Sequence, residues 1–254
     1  MKSIAKVPSS AGSLKRNEGC KDAPNCILQE LKTIYSCEKG IQKDYSVSEI
    51  LVNGDNVLEC FSNLKNSSAD IYLGGDHSIT YACFQSLKNS DAGLIILDAH
   101  PDVDECTDIP THEDYLRKLI DEGLVKGENV ILVGIRNYGA NEMEFIKKNK
   151  IKNYSARSIF ENGIQEVADS ITEIASSFSE VYLSIDIDVA DSVFVPGTGM
   201  PEPAGLSSRE VIYLVQRIRL LRNLTKADIV EVNPSLDLNN CTSRFAARIL
   251  EELL

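Results

Sequence analysis

Short apolar runs alternate with stretches of helical periodicity along most of the chain. The runs that we predict to form buried strands are Ile71–Leu73, Leu94–Leu97, Asn129–Val133, Glu180–Ile187 and Asp228–Val232. The predicted helices are Val57–Leu64, Glu113–Glu122, Glu142–Lys148, Gln165–Ser177, Arg209–Arg222 and Ser243–Leu254. Continuous apolar strands separated by helices are typical of a parallel sheet that is covered on both faces, so the pattern predicts an α/β fold.

Two of these helices carry signals for their first residues. Ser207 is followed three residues later by Glu210, which is the pattern of a capping box. Thr111 is predicted to cap the helix Glu113–Glu122, and that would place His112 in the first turn.

Composition and charge limit the classes of function. The chain has 254 residues, 43% of them hydrophobic and 25% charged, which suits one globular domain over residues 1–254. The net charge of -12 argues against nucleic acid, whose phosphates would be repelled, and is compatible with a cationic substrate. The apolar runs are too short to cross a bilayer, and no export signal is expected. Seven scattered cysteines without a Cys-x-x-Cys pair predict reduced thiols and a cytoplasmic location.

Unusual polar residues stand where the predicted strands end. The strand Leu94–Leu97 is followed by Asp98-Ala-His-Pro-Asp102, so that Asp98, His100 and Asp102 alternate along the chain. If extended geometry persists, all three side chains project from one side of the strand end. In open parallel sheets, ligands bind beyond the carboxyl ends of the strands. These three residues are therefore candidates for a binding site.

Two further strand ends carry the same residue types. One ends in Asp186-Ile-Asp188, and another is followed by a glycine pair and then His77. The chain has only three histidines, and the other two, His100 and His112, lie near the same strand ends in the sequence. If these carboxylates and imidazoles lie together, their mutual repulsion and desolvation would raise the free energy of the folded state unless a cation neutralised them.

The combined set is rich in oxygen and contains no cysteine. Its members are His77, Asp98, His100, Asp102, Asp186 and Asp188. Ligands of this kind favour Mn²⁺ over structural Zn²⁺. Four carboxylates are too many for one catalytic ion but balance a pair of dications, so we predict two Mn²⁺ ions in each chain. Two-metal sites activate water for attack on an electrophilic carbon.

These motifs resemble those of the ureohydrolases, the family of arginases, agmatinases and formiminoglutamases. The matching segments are Gly19-Cys-Lys-Asp-Ala-Pro24, Gly74-Gly-Asp-His-Ser78, Asp98-Ala-His-Pro-Asp102, Ser184-Ile-Asp-Ile-Asp188, Pro196-Gly-Thr-Gly-Met-Pro201, Gly205-Leu-Ser-Ser-Arg-Glu210 and Asp228-Ile-Val-Glu-Val-Asn-Pro234. The likeness covers nearly the whole chain. It implies a three-layer α/β/α fold with a mostly parallel central sheet, hydrolysis of a guanidino compound to an amine and urea, and a homo-oligomer, either a trimer or a hexamer.

The resemblance also implies how the metal ligands are shared. Asp98 and Asp186 occupy the positions that bridge the two ions in the family. The terminal ligands would be His77 and Asp102 for one ion and His100 and Asp188 for the other.

Besides Asp98, which would be a catalytic residue as a bridging ligand, three residues carry implied roles in catalysis, and two of them, His112 and Glu231, would also bind the substrate. His112 aligns with a mobile histidine near the mouth of the family's site and is a candidate proton shuttle to the leaving amine. Glu231 matches the carboxylate that pairs with the substrate's guanidinium, a geometry suited to two parallel hydrogen bonds. Asp188, together with the ions, would stabilise the tetrahedral intermediate.

Departures from the family pattern concern the substrate. Ser192 and Ala204 stand where the family usually has Pro and Gly. The loop between Asp102 and His112 differs from that of arginases, and the segment Gly134-Ile-Arg-Asn-Tyr138 lacks the acidic residues that bind an α-amino group there. We therefore favour agmatine as the substrate, with arginine, guanidino acids and formiminoglutamate as alternatives.

Two hypotheses from other classes remain at this point. A deacetylase would share the overall fold but hold one Zn²⁺, and a non-catalytic binding protein would keep the metals only for stability. Two carboxylates also have two interpretations each. Asp76 either orients a neighbouring group or caps the following helix, and Asp191 either supports the metal ligands or forms a turn.

Overall fold

Strands and helices alternate through the computed structural model, which describes residues 1–38, 40–41, 44–53, 56–89 and 91–254. The strands are β1 (Lys2–Lys6), β2 (Ser36–Cys37), β3 (Gly40–Ile41), β4 (Tyr45–Glu49), β5 (Ile71–Leu73), β6 (Gly93–Leu97), β7 (Val130–Val133), β8 (Lys152–Tyr154), β9 (Val181–Asp186) and β10 (Leu224–Val230). The helices are α1 (Ala23–Leu31), α2 (Val57–Lys65), α3 (Ile79–Phe84), α4 (Tyr115–Asp121), α5 (Ala140–Lys148), α6 (Ala156–Asn162), α7 (Ile164–Ala175), α8 (Ser208–Ile218) and α9 (Cys241–Leu253).

Eight of the described strands form one sheet in the order β4-β1-β5-β10-β9-β6-β7-β8. Every neighbouring pair in this sheet is parallel. The short strands β2 and β3 pair separately and antiparallel. The prediction of a mostly parallel central sheet is confirmed.

Helices cover both faces of the sheet. Along β6, Leu94 and Ile96 belong to one hydrophobic cluster and Ile95 and Leu97 to another, because successive side chains of a strand point to opposite faces. The first cluster also contains residues of α2, α3, α4 and α5, and the second contains residues of α1, α6, α7, α8 and α9. The predicted three-layer α/β/α arrangement is therefore confirmed.

Strand β10 begins and ends earlier than the sequence predicted. It covers Leu224–Val230 rather than Asp228–Val232. The backbone leaves the extended region at Glu231, whose φ is 64°. The apolar pattern continues through Val232, so hydrophobicity alone could not show where the strand stops.

Helix α4 also differs from its prediction. It begins at Tyr115, so Thr111 is not its cap and His112 lies in the turn before it. Asp114 holds that turn together by accepting hydrogen bonds from the backbone N–H groups of Thr107 and Thr111, at 2.6 Å each. The Thr111 prediction is wrong because the Thr111 hydroxyl stabilises this turn instead, donating to Asp114 Oδ1 at 2.8 Å and accepting from the Glu113 N–H at 3.3 Å.

The predicted capping box of α8 is confirmed. The Ser207 hydroxyl accepts a hydrogen bond from the Glu210 N–H at 3.3 Å, and the Glu210 carboxylate accepts one from the Ser207 N–H at 2.8 Å. These two bonds satisfy donors that the first turn of a helix leaves without partners.

Among the described helices, none combines the length and apolarity needed to span a membrane.

Candidate metal centre

The predicted site residues lie beyond the carboxyl ends of four strands that are adjacent in the sheet, β5, β10, β9 and β6. His77 follows β5, Glu231 follows β10, Asp186 ends β9 and Asp98 follows β6. Because the strands are parallel, their carboxyl ends meet at one edge of the sheet and bring together residues that are far apart in sequence.

One group of ligand atoms surrounds the His77 ring. Its Nδ1 lies 3.1 Å from Asp98 Oδ2, 3.0 Å from Asp102 Oδ2 and 3.3 Å from Asp186 Oδ2. The ligand atoms of His77, Asp98 and Asp186 all lie within 4.8 Å of one another, which is a suitable spacing for one cation. Asp102 reaches this group through a left-handed backbone conformation, with φ of 51°, rather than through continued extended geometry.

A second group surrounds the His100 ring. Its Nδ1 lies 3.0 Å from Asp188 Oδ2 and 3.6 Å from Asp98 Oδ1. Asp98, His100 and Asp188 again place one ligand atom each within 4.8 Å. Asp98 belongs to both groups, one oxygen facing each, as a bridging carboxylate would.

Asp188 is not positioned by strand alternation. The chain leaves β9 after Asp186 and forms a 3₁₀ turn over Ile187–Val189. The Asp188 N–H donates to Asp186 Oδ1 at 2.9 Å, and the Ala99 N–H donates to Asp188 Oδ1 at 3.0 Å. These backbone donors fix one oxygen of each carboxylate and leave the other oxygen to bind an ion.

The chemistry of the two groups fits divalent cations. The four carboxylates are buried, and His77 Nδ1 and Asp98 Oδ2 have no hydrogen-bond partner among the described residues. Burial and the neighbouring Asp98 carboxylate raise the pKa of Asp102 to about 7, while burial, Asp188 and Asp98 raise the pKa of Asp186 well above its usual value. Carboxylates that repel one another in this way are stabilised by a bound cation.

A buried hydrogen-bond network surrounds Nε2 of His77. Its Nε2 lies 2.9 Å from the Ser184 hydroxyl, which in turn donates to Asp228 Oδ1 at 2.6 Å. Since Ser184 uses its hydrogen for Asp228, it can accept from an Nε2–H of His77, and the Tyr115 hydroxyl lies 2.9 Å from the same nitrogen. In the tautomer with its hydrogen on Nε2, the lone pair of Nδ1 is left to bind an ion between the carboxylates of the first group. Tyr115 and Asp228 support the ring from outside the group, as partners of metal-bound imidazoles often do.

We predict that Asp228→Asn weakens metal binding by about 10- to 100-fold without unfolding the chain. Asp228 accepts hydrogen bonds from three hydroxyls, those of Thr80, Tyr182 and Ser184. If the amide NH₂ of the Asp228→Asn variant faced Ser184, two donors would meet. The Ser184 hydroxyl would then have to accept from the amide and donate to His77 Nε2, which would favour the wrong His77 tautomer. Titration of metal-free protein with Mn²⁺ measures the effect.

Asp70→Asn is the matched control, because Asp70 lies just before β5 and bonds Ser3 far from the ligands. Equal Mn²⁺ affinity in Asp228→Asn and wild type would contradict the assigned tautomer.

His112 and Glu231 form a pair beside the first ligand group. His112 Nδ1 lies 3.4 Å from Glu231 Oε1, and the His112 N–H donates to the Gly12 carbonyl at 3.0 Å. Burial by itself would lower the pKa of His112, but the Glu231 carboxylate raises it to about 9. Burial disfavours the Glu231 carboxylate, yet hydrogen bonds from His112, Asn17 and the His77 N–H hold its pKa below the usual value. The two side chains therefore carry opposite charges at neutral pH.

One cavity of about 190 Å³ is lined by this pair and by every proposed ligand residue except Asp98. It is lined by His77, His100, Pro101, Asp102, Asp104, His112, Glu113, Asn137, Tyr138, Gly139, Glu142, Asp186, Asp188, Thr198, Met200 and Glu231. Beyond the predicted site residues, the lining adds the carboxylates of Asp104, Glu113 and Glu142, and it includes neither Lys nor Arg among the described residues. Its size and charge suit a small cationic molecule.

The contacts of Asp76 and Asp191 decide between the two interpretations of each. Asp76 accepts hydrogen bonds from the Gly12 and Ser78 N–H groups at 3.0 Å each, so it ties the N-terminal segment to the loop that carries His77. Asp191 accepts from the N–H groups of Val193 and Gly205 and is a turn residue. Ala204, which replaces the family's usual Gly, has a φ of 60°, a conformation that Gly adopts most easily.

Several site residues had no signal in the sequence. Glu142 is separated from the metal motifs, and Tyr115 contacts His77 across the cavity wall. Asn17 lies far from Glu231 in sequence but bonds its carboxylate at 2.5 Å. Only Asp228, a charged residue inside an apolar run, was unusual enough to have been suspected.

Comparisons with known proteins agree with this site. A model of the arginase family matches residues 3–254. Arginase from Staphylococcus aureus strain COL is 31% identical over 235 residues, which are 83% of this chain and 78% of the relative. Formimidoylglutamase from Bacillus subtilis superposes with a TM-score of 0.91 at 27% identity, covering 100% of this chain and 86% of that one. Proclavaminate amidinohydrolase from Streptomyces clavuligerus superposes with a TM-score of 0.89 at 27% identity, covering 99% and 89%.

The family match extends over nearly the whole chain, and the sheet order, the paired ligand groups and the acidic cavity are all consistent with it. This chain therefore belongs to the arginase family and is a hydrolase that cleaves C–N bonds of guanidino and related amidine compounds.

Proposed function

We propose that this chain is a two-manganese hydrolase that releases urea from a small guanidino compound, with agmatine as the first candidate. The observation that carries this proposal is that five of the six proposed ligand residues, all except the fully buried Asp98, line one cavity together with His112 and Glu231. The whole chain, residues 1–254, would act as one domain. We also propose a cytoplasmic homo-oligomer, in line with the free thiols of the cysteines whose side chains are described.

The six ligand residues would hold the two ions. His77, Asp98, Asp102 and Asp186 face one position and Asp98, His100 and Asp188 face the other, with Asp186 proposed as a second bridge. Nitrogen and carboxylate ligands without sulfur favour Mn²⁺. When bound, such ions lower the pKa of water and neutralise negative charge that develops during hydrolysis.

Glu231 and His112 would act on the organic substrate. Both Glu231 oxygens are held by protein donors yet keep further lone pairs for the N–H groups of a guanidinium. His112 Nε2 has no hydrogen-bond partner among the described residues, although its ring lines the cavity. We propose that His112 transfers a proton to the leaving amine.

The charge of the outer cavity supports a cationic tail. Asp104, Glu113 and Glu142 add three carboxylates to the lining, and the nearby Arg16 forms a salt bridge with Glu113. This environment favours the ammonium of agmatine over the carboxylates of guanidino acids or formiminoglutamate. The similarity to a formimidoylglutamase nevertheless makes a formimino compound the second candidate.

The test is product release from agmatine, arginine, guanidinobutyrate and formiminoglutamate after incubation with Mn²⁺. We expect urea from agmatine at the highest rate and no product from chelator-treated protein. Faster hydrolysis of arginine would overturn the agmatine assignment, and formamide without urea would move the enzyme to formimino substrates.

The same experiment separates the other classes. One zinc and no urea would favour a deacetylase. Two bound ions with neither urea nor formamide would favour a binding protein.

A further inference from the structure

The N-terminal segment between β1 and α1 packs over the carboxyl ends of the strands. The Val7 N–H donates to Leu73 O at 2.8 Å, and the Asp76 N–H donates to Ser9 O at 3.1 Å. Further along the same segment, Asn17 is buried, with 1% of its surface exposed, against the loop after β10. A side chain from the start of the chain thus reaches a residue 214 positions away.

The side-chain amide of Asn17 donates two hydrogen bonds to Glu231. Its Nδ2 donates to Glu231 Oε2 at 2.5 Å and to the Glu231 backbone carbonyl at 3.1 Å. One nitrogen with two hydrogens therefore binds both the side chain and the main chain of the same residue. That arrangement fixes the carboxylate relative to the backbone that carries it.

Glu231 requires such support because its backbone is strained. Its φ of 64° lies in the left-handed region, which is unfavourable for residues other than glycine. The Glu231 N–H donates to Gly75 O at 2.9 Å, and Oε1 accepts the His77 N–H at 2.7 Å. Asn17 supplies the donor to the other oxygen, and together these bonds set the plane of the carboxylate.

Asn17 is itself held in one orientation. Asn233 Nδ2 donates to Asn17 Oδ1 at 2.6 Å, so the amide of Asn17 cannot flip without losing that bond. A Cβ at Gly199 would lie 2.6 Å from the Cβ of Asn17, so glycine makes room for the side chain. The direction of the two N–H groups toward Glu231 is thus determined by neighbours on two different loops.

We infer that Asn17 is a positioning residue that aims the Glu231 carboxylate at the guanidinium of the substrate. The inference rests on the proposed role of Glu231. Oε1 accepts from the His77 N–H and lies 3.4 Å from His112 Nδ1, and Oε2 accepts from Asn17, so these groups together fix the plane of the two carboxylate oxygens. Bidentate recognition of a planar guanidinium needs both of them in that plane. Asn17 therefore contributes to affinity for the guanidino group without contacting the metal ligands.

The test compares Asn17→Leu with Asn129→Leu. Asn129 is another buried asparagine, and it lies at the opposite end of the sheet, before β7. Calorimetric binding of guanidinium chloride to the Mn²⁺-loaded protein, Mn²⁺ content, and kcat and KM for the best substrate are measured on each variant. We expect Asn17→Leu to weaken guanidinium binding and raise KM by about tenfold or more, with two ions retained and a smaller change in kcat.

Four outcomes would overturn the inference: unchanged guanidinium affinity in Asn17→Leu, an equal loss in Asn129→Leu, loss of the ions together with guanidinium binding, or no guanidinium binding by wild type. If Asn17→Leu does not fold, Asn17→Ala is measured in its place, because it removes the same donors with a smaller side chain. Wild-type protein that binds guanidinium but releases urea from no substrate would refute the proposed function, and the binding comparison alone would then decide the role of Asn17.

Discussion

His100→Ala is expected to lower the rate of hydrolysis by about a thousandfold or more. The substitution removes the only imidazole of the second ligand group, in which His100 Nδ1 lies 3.0 Å from Asp188 Oδ2. Loss of one ion from a two-metal site removes several kcal/mol of transition-state stabilisation, and each 1.36 kcal/mol is a factor of ten in rate. Mn²⁺ content should fall from two ions to one in each chain, as measured by elemental analysis beside the urea assay.

His112→Ala is the matched control for this variant. It removes another imidazole from the same cavity, but His112 faces Glu231 rather than the ligand carboxylates. We expect it to keep both ions while losing activity, because it removes the side chain proposed as the proton donor. Two tightly held ions in His100→Ala, or undiminished hydrolysis by it, would contradict the assignment of the second group.

Glu231→Gln should lower kcat/KM by about a hundredfold or more while both ions stay bound. The change keeps the shape of the side chain but removes the charge that we propose to pair with a guanidinium. Breaking a buried charge pair costs about 3–5 kcal/mol. In addition, the amide NH₂ would face Asn17 Nδ2 or the His77 N–H, both of which are donors. Steady-state kinetics on the best substrate, with Mn²⁺ analysis, give the measurement.

Glu113→Gln gives the comparison within the same cavity. Its side chain is 33% exposed and paired with Arg16, so solvent screens its charge. We expect a loss of only a few-fold. If the two variants lost activity equally, the cavity would act through its total charge, and the specific pairing assigned to Glu231 would be wrong.

The central strands could be predicted because burial on both faces makes them continuously apolar. Strands β5, β6, β7 and β9 lie inside the sheet, and all their residues are buried. The outer strand β4 is largely exposed, and β8, at the other edge, contains Lys152 and Asn153. Their positions depend on pairing with a neighbouring strand, which leaves little pattern in the sequence. β1 was missed for a related reason, since Lys2 and Lys6 interrupt its apolar residues.

Two of the helices that were missed, α3 and α6, lack a clear amphipathic pattern or are short. Helix α3 is buried throughout its six residues, so it has no polar face to create a period. Helix α6 has seven residues, of which only Ile159 is buried. In both cases, contact with the rest of the fold, rather than local pattern, stabilises the helix.

The six residues proposed as metal ligands could be singled out from the sequence, because Asp and His recurred at strand ends where apolar residues were otherwise the rule. The geometry that joins them was decided by the tertiary structure. Asp102 needs a left-handed backbone and Asp188 a 3₁₀ turn, neither of which follows from alternation.

What the sequence by itself determined is the fold class, the family resemblance and the ligand chemistry, since all three depend on residue type and local spacing. The tertiary structure alone decided which groups surround those residues. Asn17, Tyr115 and Glu142 enter the site from three separate segments, and each was invisible in the sequence because its role arises only from contacts with residues distant along the chain. Parallel strands bring such segments to one edge of the sheet, and that convergence is a property of the folded chain.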